Sequence, residues 1–267
     1  MLAVLSNDFG DGYVRIVNTR TGEVRDPIKI DGGGVYTAAW SPTGSHLALA
    51  CKDRKLRTLD PRSASQTLLT GPAHDSPRPF QLTWLDSTHL VSVGFSSGSL
   101  RKILLHRLGS DTIETVATLA LDVSPSVLFP FYDADTSILL VWGKGERTVS
   151  PFDVNLANTK APFHRLPQFA GSLIHGFTFL PKPTVDVKKV EVLRALRLTN
   201  KTIEEVSFKV PRQKMDYFQD DVFPLTRGGP ELEWDQWVAG QDGKEEGWVS
   251  LRPEGMKACE CATPLVD

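Results

Sequence analysis

Short apolar stretches recur along this chain with polar residues at alternate positions, and clusters of Gly, Pro, Asp and Ser separate them. Alternation with a period of two puts successive side chains on opposite faces of a strand, so the pattern predicts β-structure. Val35 to Trp40 (VYTAAW) reads as a strand, and Ser41-Pro42-Thr43-Gly44 as the turn after it. His46 to Cys51 and Lys55 to Asp60 follow, separated by Lys52-Asp53-Arg54, and Gln66 to Thr70 is a fourth strand. The same succession returns from Phe80 to Trp84, His89 to Phe95 and Arg101 to Arg107, then from Val127 to Phe131, Ser137 to Trp142 and Thr148 to Val154. His175 to Leu180 opens a further unit. Lys188 to Leu198 can be drawn as an amphipathic helix, but its β-branched residues and its place in the repeat favour a strand.

The units have a regular length. Trp40, Trp84, Phe129 and Phe177 stand 44, 45 and 48 positions apart. Four short strands per unit at this period predict an all-β, WD40-type β-propeller. Before Val35 the scheme holds incompletely: Leu2 to Leu5, Tyr13 to Asn18 and Glu23 to Ile30 read as second, third and fourth strands, with Asp11-Gly12 as a tight turn. The opening strand of that unit is missing, so the propeller is partial, about four to five blades. Both of its ends are expected to present apolar blade faces and unpaired backbone, giving an open arc prone to self-association.

After Val210 the pattern breaks at Pro211, Pro224, Gly228, Gly229 and Pro230. Trp234, Trp237 and Trp248 are costly to leave in water. The expected organisation is therefore a partial propeller over 1–210, an extension packed on it over 211–255, and a flexible tail over 256–267.

Composition narrows the function classes. The formal net charge is -2 over 267 residues, with no basic excess to suggest nucleic acid. Three cysteines, two of them Cys259 and Cys261 in the tail, do not make a disulfide framework. No stretch approaches the ~20 apolar residues of a membrane span, and Met1 to Asp8 lacks the basic start of a signal peptide. The expected location is cytoplasmic.

The chemistry-bearing candidates are few. Lys52, Arg54, Lys55, Arg57 and Arg62 put five cations within eleven residues, either a surface for an acidic partner or a solvated strand edge whose arginines bond neighbouring blades. A second basic set, Lys182, Lys188, Lys189, Arg194 and Arg197, is split between faces by strand alternation. Gly143-Lys144-Gly145 lacks the spacing of a phosphate loop and reads as a turn. Asp216, Asp220 and Asp221 lack the spacing of a calcium loop and read as a solvated or arginine-paired acidic loop. His74 stands where a propeller histidine hydrogen-bonds within its blade. No G-x-S-x-G or H-E-x-x-H motif is present, so neither an enzyme nor a cofactor or metal site is expected.

Several segments, in order, resemble the coronin family. KDRKLRTLDPRS (Lys52 to Ser63), VGFS (Val93 to Ser96), LDVSPSVLFPFYDADTSILLVWGKGERTV (Leu121 to Val149) and FLPKPTVDVKKVEVLRALRLTN (Phe179 to Asn200) are similar to coronin blades. VSFKVPR (Val206 to Arg212), YFQDDVFPLTRG (Tyr217 to Gly228) and EWDQWVAGQD (Glu233 to Asp242) are similar to the segment after them. Val249 to Met256 looks most like long coronins with two propellers in tandem. The resemblance implies a seven-bladed ring, of which this chain carries part. It implies actin filaments as a partner, other proteins bound on the propeller face, and a cytoskeleton-associated location. The departures are the family's basic N-terminal arm with its actin-binding arginine, the coiled coil of short coronins, an arginine position occupied here by Ser97, and an aspartate position occupied by Glu146. The missing arm and Ser97 favour an alternative: an adaptor in membrane trafficking or complex assembly without direct actin binding.

Overall fold

The computed structural model describes residues 1–8, 11–63, 67–228, 232–243 and 248–258. Five antiparallel sheets follow one another along the chain. The first contains β1 (Leu2–Asp8), β2 (Asp11–Val17) and β3 (Ile28–Ile30). The second contains β4 (Val35–Trp40), β5 (Leu47–Cys51), β6 (Lys55–Leu59) and β7 (Thr67–Pro72). The third contains β8 (Gln81–Trp84), β9 (His89–Phe95), β10 (Leu100–Leu108) and β11 (Ile113–Val123). In the fourth are β12 (Leu128–Asp133), β13 (Ile138–Gly143), β14 (Thr148–Val154) and β15 (Phe163–Arg165), with β16 (Phe169–Ala170) also on β14. β17 (Gly176–Phe179), β18 (Glu191–Leu198) and β19 (Ile203–Lys209) form the fifth. This is a partial WD-type propeller, and β4, β8, β12 and β17 are the opening strands that the repeat predicted.

The middle strands show what the sheets require. All five residues of β5 (LALAC) are buried. Leu47, Leu49 and Cys51 pack with Val14, Ile16 and Ile30 of the first sheet, while Ala48 and Ala50 pack with Phe80, Leu82 and Leu90 of the third. Strand alternation thus supplies two different neighbours from one segment. The third and fourth sheets meet the same way through Val91, Val93, Ile103, Leu139, Val141 and Phe152. Close approach between blades selects glycine at 71, where a Cβ would lie 2.1 Å from the Ile113 carbonyl oxygen.

Some local expectations are corrected. Asp11 and Gly12 lie in β2, opposite Asp8 and Asn7, and do not form the turn. Gly12 is needed there because a Cβ would meet the Gly34 Cα at 2.8 Å. The strand favoured for Lys188 to Leu198 is present as β18, preceded by a short 3-10 turn over Val187–Lys189 that ends at Val190 in left-handed backbone. Of the three tryptophans expected to be covered, Trp237 is fully buried, Trp234 is half-buried, and Trp248 is exposed in β21 (Trp248–Val249), which pairs with β20 (Thr226–Arg227). Within the expected loose tail, the Phe218 N–H donates to the Lys257 carbonyl at 2.7 Å, and Met256 packs against the core. Cys259 and Cys261 lie outside the described residues.

The segment after Val210 joins distant parts of the molecule. Phe218, Val222 and Phe223 enter the core of the fourth and fifth sheets with Trp142, Ile174 and Phe208. Further on, the short helix α1 (Trp234–Val238) inserts Trp237 into the core of the first and second sheets. Three consecutive carbonyls of one turn take donors from this strap: Pro42 from the Arg227 guanidinium, Thr43 from the Gly243 N–H at 2.9 Å, and Gly44 from the Trp237 indole N–H at 2.9 Å. The expected exposed flanks are present, with Leu2, Val4 and Val24 exposed on the first sheet and Leu198 and Ile203 on the last. The strap nevertheless ties the first sheets to the last, which the picture of an open arc did not include.

This arrangement predicts that Trp237→Ala costs about 3–5 kcal/mol, the usual penalty for emptying a large core site. In a chain of this size that lowers the melting temperature by roughly 6–15 °C. Trp248→Ala, at an exposed position, is expected to change stability by no more than about 0.5 kcal/mol. Thermal or urea unfolding of the two variants beside the parent checks the contrast. Equal losses would mean that the strap is not anchored through Trp237.

Candidate functional site

The turn between β5 and β6 carries the candidate cations, and the structure divides them into two groups. Arg54 adopts left-handed backbone (φ 66°), which bends the chain sharply after Cys51. Its guanidinium reaches the Asp75 carbonyl at 3.3 Å, and its own carbonyl accepts from Ala73 N–H at 3.0 Å. Lys52, Arg54 and Lys55 are exposed. Among the described residues they form no ion pair.

Arg57 and Arg62 differ. Arg57 is buried beneath the turn and grips Asp53 with two bonds, at 2.9 and 2.6 Å. Burial pushes the Asp53 carboxyl up, but the Arg57 bonds outweigh it and the net shift is downward. The hydrogen bonds that Arg57 donates to Asp53 raise the arginine in turn, so the pair stays ionised. Arg62 binds Asp60 at 2.9 Å and Asp242 of the strap at 2.6 Å, at the opposite end of the sheet. The five residues therefore do not form one patch: three face solvent, one bonds within its own blade and one fastens the strap.

The end of the molecule that bears this turn has a consistent charge pattern. In the second to fifth sheets the second and third strands are joined at this end. The β13–β14 turn presents exposed Lys144 and Arg147, and the β18–β19 turn presents exposed Lys201. The carboxylates here are largely neutralised from within. Arg101, only 5 % exposed, binds Asp122 through two bonds of 2.6 Å and also bonds Glu146 of the next sheet. Asp31 and Asp75 remain as exposed acids. Nothing in the spacing of the sequence marked Arg101 as an inter-blade clamp. In β10 (LRKILLHRL) Arg101 stands beside Lys102 and ahead of His106 and Arg107, so its type and place do not single it out.

The other candidates are structural. Gly143-Lys144-Gly145 forms the β13–β14 turn, with Gly145 at φ 87°. Asp221 is paired with Arg212. In the second basic set, Lys182 bonds buried Asp133 at 2.5 Å, while Lys189, Arg194 and Arg197 pair with Asp186, Glu191 and Glu204. His74 bonds Ser92 at 3.0 Å, Ser92 bonds His106 at 2.8 Å, and His106 reaches Thr115 at 3.2 Å. A serine between two imidazoles resembles a nucleophile with its base, but Ser92 and His106 are 0 % exposed and no substrate can reach them. Among the described residues no group of His, Cys, Asp and Glu is placed to hold a metal ion. No helix among them is long and apolar enough to cross a membrane.

Comparison with known proteins gives a consistent set of similarities. A model for a type of WD40 repeat matches residues 203–245. The chain is 36 % identical over 258 residues to coronin-7 of Bos taurus and 37 % identical over 260 residues to coronin-7 of Homo sapiens. Each alignment covers 95 % of this chain, which spans only 28 % of the relative's length. The solved WD40 domain of Toxoplasma gondii coronin superposes with a TM-score of 0.81 at 26 % identity, over 94 % of this chain and 67 % of that one.

The buried histidines generate a pH prediction. Burial pushes His74 down to about 4, and burial together with the charge of His74 pushes His106 down to about 3. The unfolded chain protonates both near pH 6.5, so it binds more protons than the fold between pH 6.5 and about 4. Stability is therefore fully present above pH 6.5. It falls as the pH is lowered through that window, by up to about 1.4 kcal/mol per pH unit for each histidine. Urea midpoints at pH 7, 6 and 5 measure the slope. His74→Asn/His106→Asn is expected to lower stability at pH 7 but to flatten its acid dependence, and an unchanged slope would assign the dependence to other groups.

Proposed function

The chain belongs to the coronin family, and from that premise we propose that it is a non-catalytic scaffold that binds actin filaments through the end bearing the β5–β6 turn. The observation that carries this reading is the separation of charge at that end. Buried arginines engage Asp53, Asp122 and Glu146, while Lys52, Arg54 and Lys55, with Lys144, Arg147 and Lys201, are left to solvent. An acidic filament surface fits such an end, and exposed charges facing an opposite field accelerate association more than they tighten it. Recognition by surface complementarity needs no covalent step, cofactor or metal. Cytoplasmic placement beside the cytoskeleton follows from the same reading.

A second reading has its own observation. Ser97, exposed in the corresponding turn of the third sheet, contributes no charge to this end. A weaker basic surface favours an adaptor that docks proteins other than actin, in membrane trafficking or complex assembly.

Co-sedimentation with actin filaments at low and physiological salt tests the first reading. Weak binding that declines with salt is expected, because exposed charges are screened over about 8–10 Å. Lys52→Glu/Arg54→Glu/Lys55→Glu is expected to reduce it about tenfold, a loss of about 1.4 kcal/mol, with little change in melting temperature. Arg57→Ala is expected to destabilise the fold by about 3 kcal/mol, since it strands the largely covered Asp53 carboxylate. Tight, salt-insensitive binding, or binding that survives the charge reversal, would contradict this interface. Absence of filament binding, with another protein partner lost on the same reversal, would support the adaptor.

A further inference from the structure

At the end of the molecule opposite the β5–β6 turn, a groove of about 430 Å³ runs between the loop after β2 and the strap helix α1. We propose that this groove binds a cationic side chain, arginine or lysine, presented by an extended basic peptide of a partner protein. Its aromatic surface is Trp234, backed by the fully buried Trp237 at a centroid distance of 5.6 Å. Its rim is acidic. Glu23, Glu233 and Asp235 outnumber the Arg20 guanidinium and the Met1 ammonium, leaving one negative charge in excess.

Both walls are held in place. Asn18, only 8 % exposed, fixes the loop by accepting the Arg20 and Thr21 N–H groups at 3.0 and 3.4 Å and donating its own N–H to the Glu23 carbonyl at 2.8 Å. On the other side, the capping box of Glu233 with Gln236 sets the start of α1, and the Trp237 indole anchors the helix on Gly44. A site held this firmly loses little freedom on binding.

The chemistry selects the ligand. The Trp234 indole is half-buried and presents a face rich in π-electron density, which attracts a cation. Among the described residues, guanidinium groups lie over Phe95 and Phe152, and none lies over Trp234. The Arg20–Glu233 pair across the groove has side chains 74 % and 68 % exposed, so solvent screens it and an incoming cation exchanges for Arg20 at little cost. An anionic segment would be repelled by the carboxylate excess and by the electron-rich indole face. The groove is separate from the basic end, and its occupancy does not require actin binding.

The test uses the whole chain and two capped pentapeptides, Gly-Arg-Gly-Arg-Gly and Gly-Glu-Gly-Glu-Gly. The indole N–H signals are followed by two-dimensional NMR, with Trp234→Phe identifying the Trp234 resonance while keeping an aromatic ring on Trp237. The arginine peptide is expected to shift the Trp234 signal saturably, and the glutamate peptide to leave it unmoved. Glu23→Lys/Asp235→Lys avoids the helix cap and is expected to weaken the arginine peptide at least about tenfold, with the Trp237 signal and the melting temperature unchanged. A shift that is absent, equal for both peptides, confined to other indoles, or retained in the double variant would overturn the proposal.

Discussion

The middle sheets of this molecule must be covered on both faces, and the rest of the structure follows from that constraint. A half-apolar sheet can leave its polar face in water. A strand such as β5, whose five residues are all buried, cannot do so. Leu47, Leu49 and Cys51 need the first sheet, and Ala48 and Ala50 need the third. At roughly 25 cal/mol per Å² of apolar surface, each such contact is strong, but it exists only when a neighbour is present. Stability therefore passes from sheet to sheet, as in other stacked-repeat architectures, and falls to the terminal sheets to resolve. Here the strap supplies part of the answer. It carries Phe218 and Phe223 into the core of the last two sheets and Trp237 into the core of the first two.

The same constraint sorts the charges. Seams between sheets offer little water, so an arginine placed there has to bring its counter-charge with it. Arg57 with Asp53, and Arg101 with Asp122 and Glu146, meet that demand. Their contribution is less a gain in stability than the avoidance of a stranded buried charge. One consequence is visible at the surface, because carboxylates engaged from below no longer offset the lysines and arginines of the turns. The formal net charge of -2 says nothing of this, since it averages an end where cations prevail with a groove where carboxylates prevail.

Much of the fold was legible in the sequence. Val35–Trp40, His89–Phe95 and Thr148–Val154 fall where alternation placed them, because their patterns report burial directly. β11 is an outer strand with Ile113 its only buried residue, and the alternation of half-buried Ala117, Leu119 and Leu121 with exposed neighbours is the signal that could have found it. β15 and β16 are too short for any period to register. Asp11-Gly12 misled because the dipeptide signals a turn wherever it occurs, whereas this glycine answers a backbone contact with Gly34, 22 positions away. The candidate site was legible only as composition. Five cations in eleven residues were plain to see, but their division among solvent, Asp53 and the strap depends on partners as remote as Asp242. The groove at Trp234 was beyond the sequence for the same reason, since its walls are some 210 positions apart.

Chemical groups capable of catalysis are present, and the fold places them out of reach. His74, Ser92 and His106 make a line of hydrogen bonds with the spacing of a base and a nucleophile, yet they sit at 3 %, 0 % and 0 % exposure inside the third blade. Burial that keeps both imidazoles neutral also denies them a substrate, so the cluster fixes the loop before β8 against β9 and β10. What the surface offers instead is charge on stiff turns and an aromatic groove with fixed walls. Under the proposed reading, surfaces of this kind act by presenting geometry to partners. The β5–β6 turn, where cations face solvent, and the Trp234 groove, where carboxylates prevail, lie at opposite ends of the molecule, so the two proposed contacts, one with an acidic partner and one with a basic one, do not compete for the same surface.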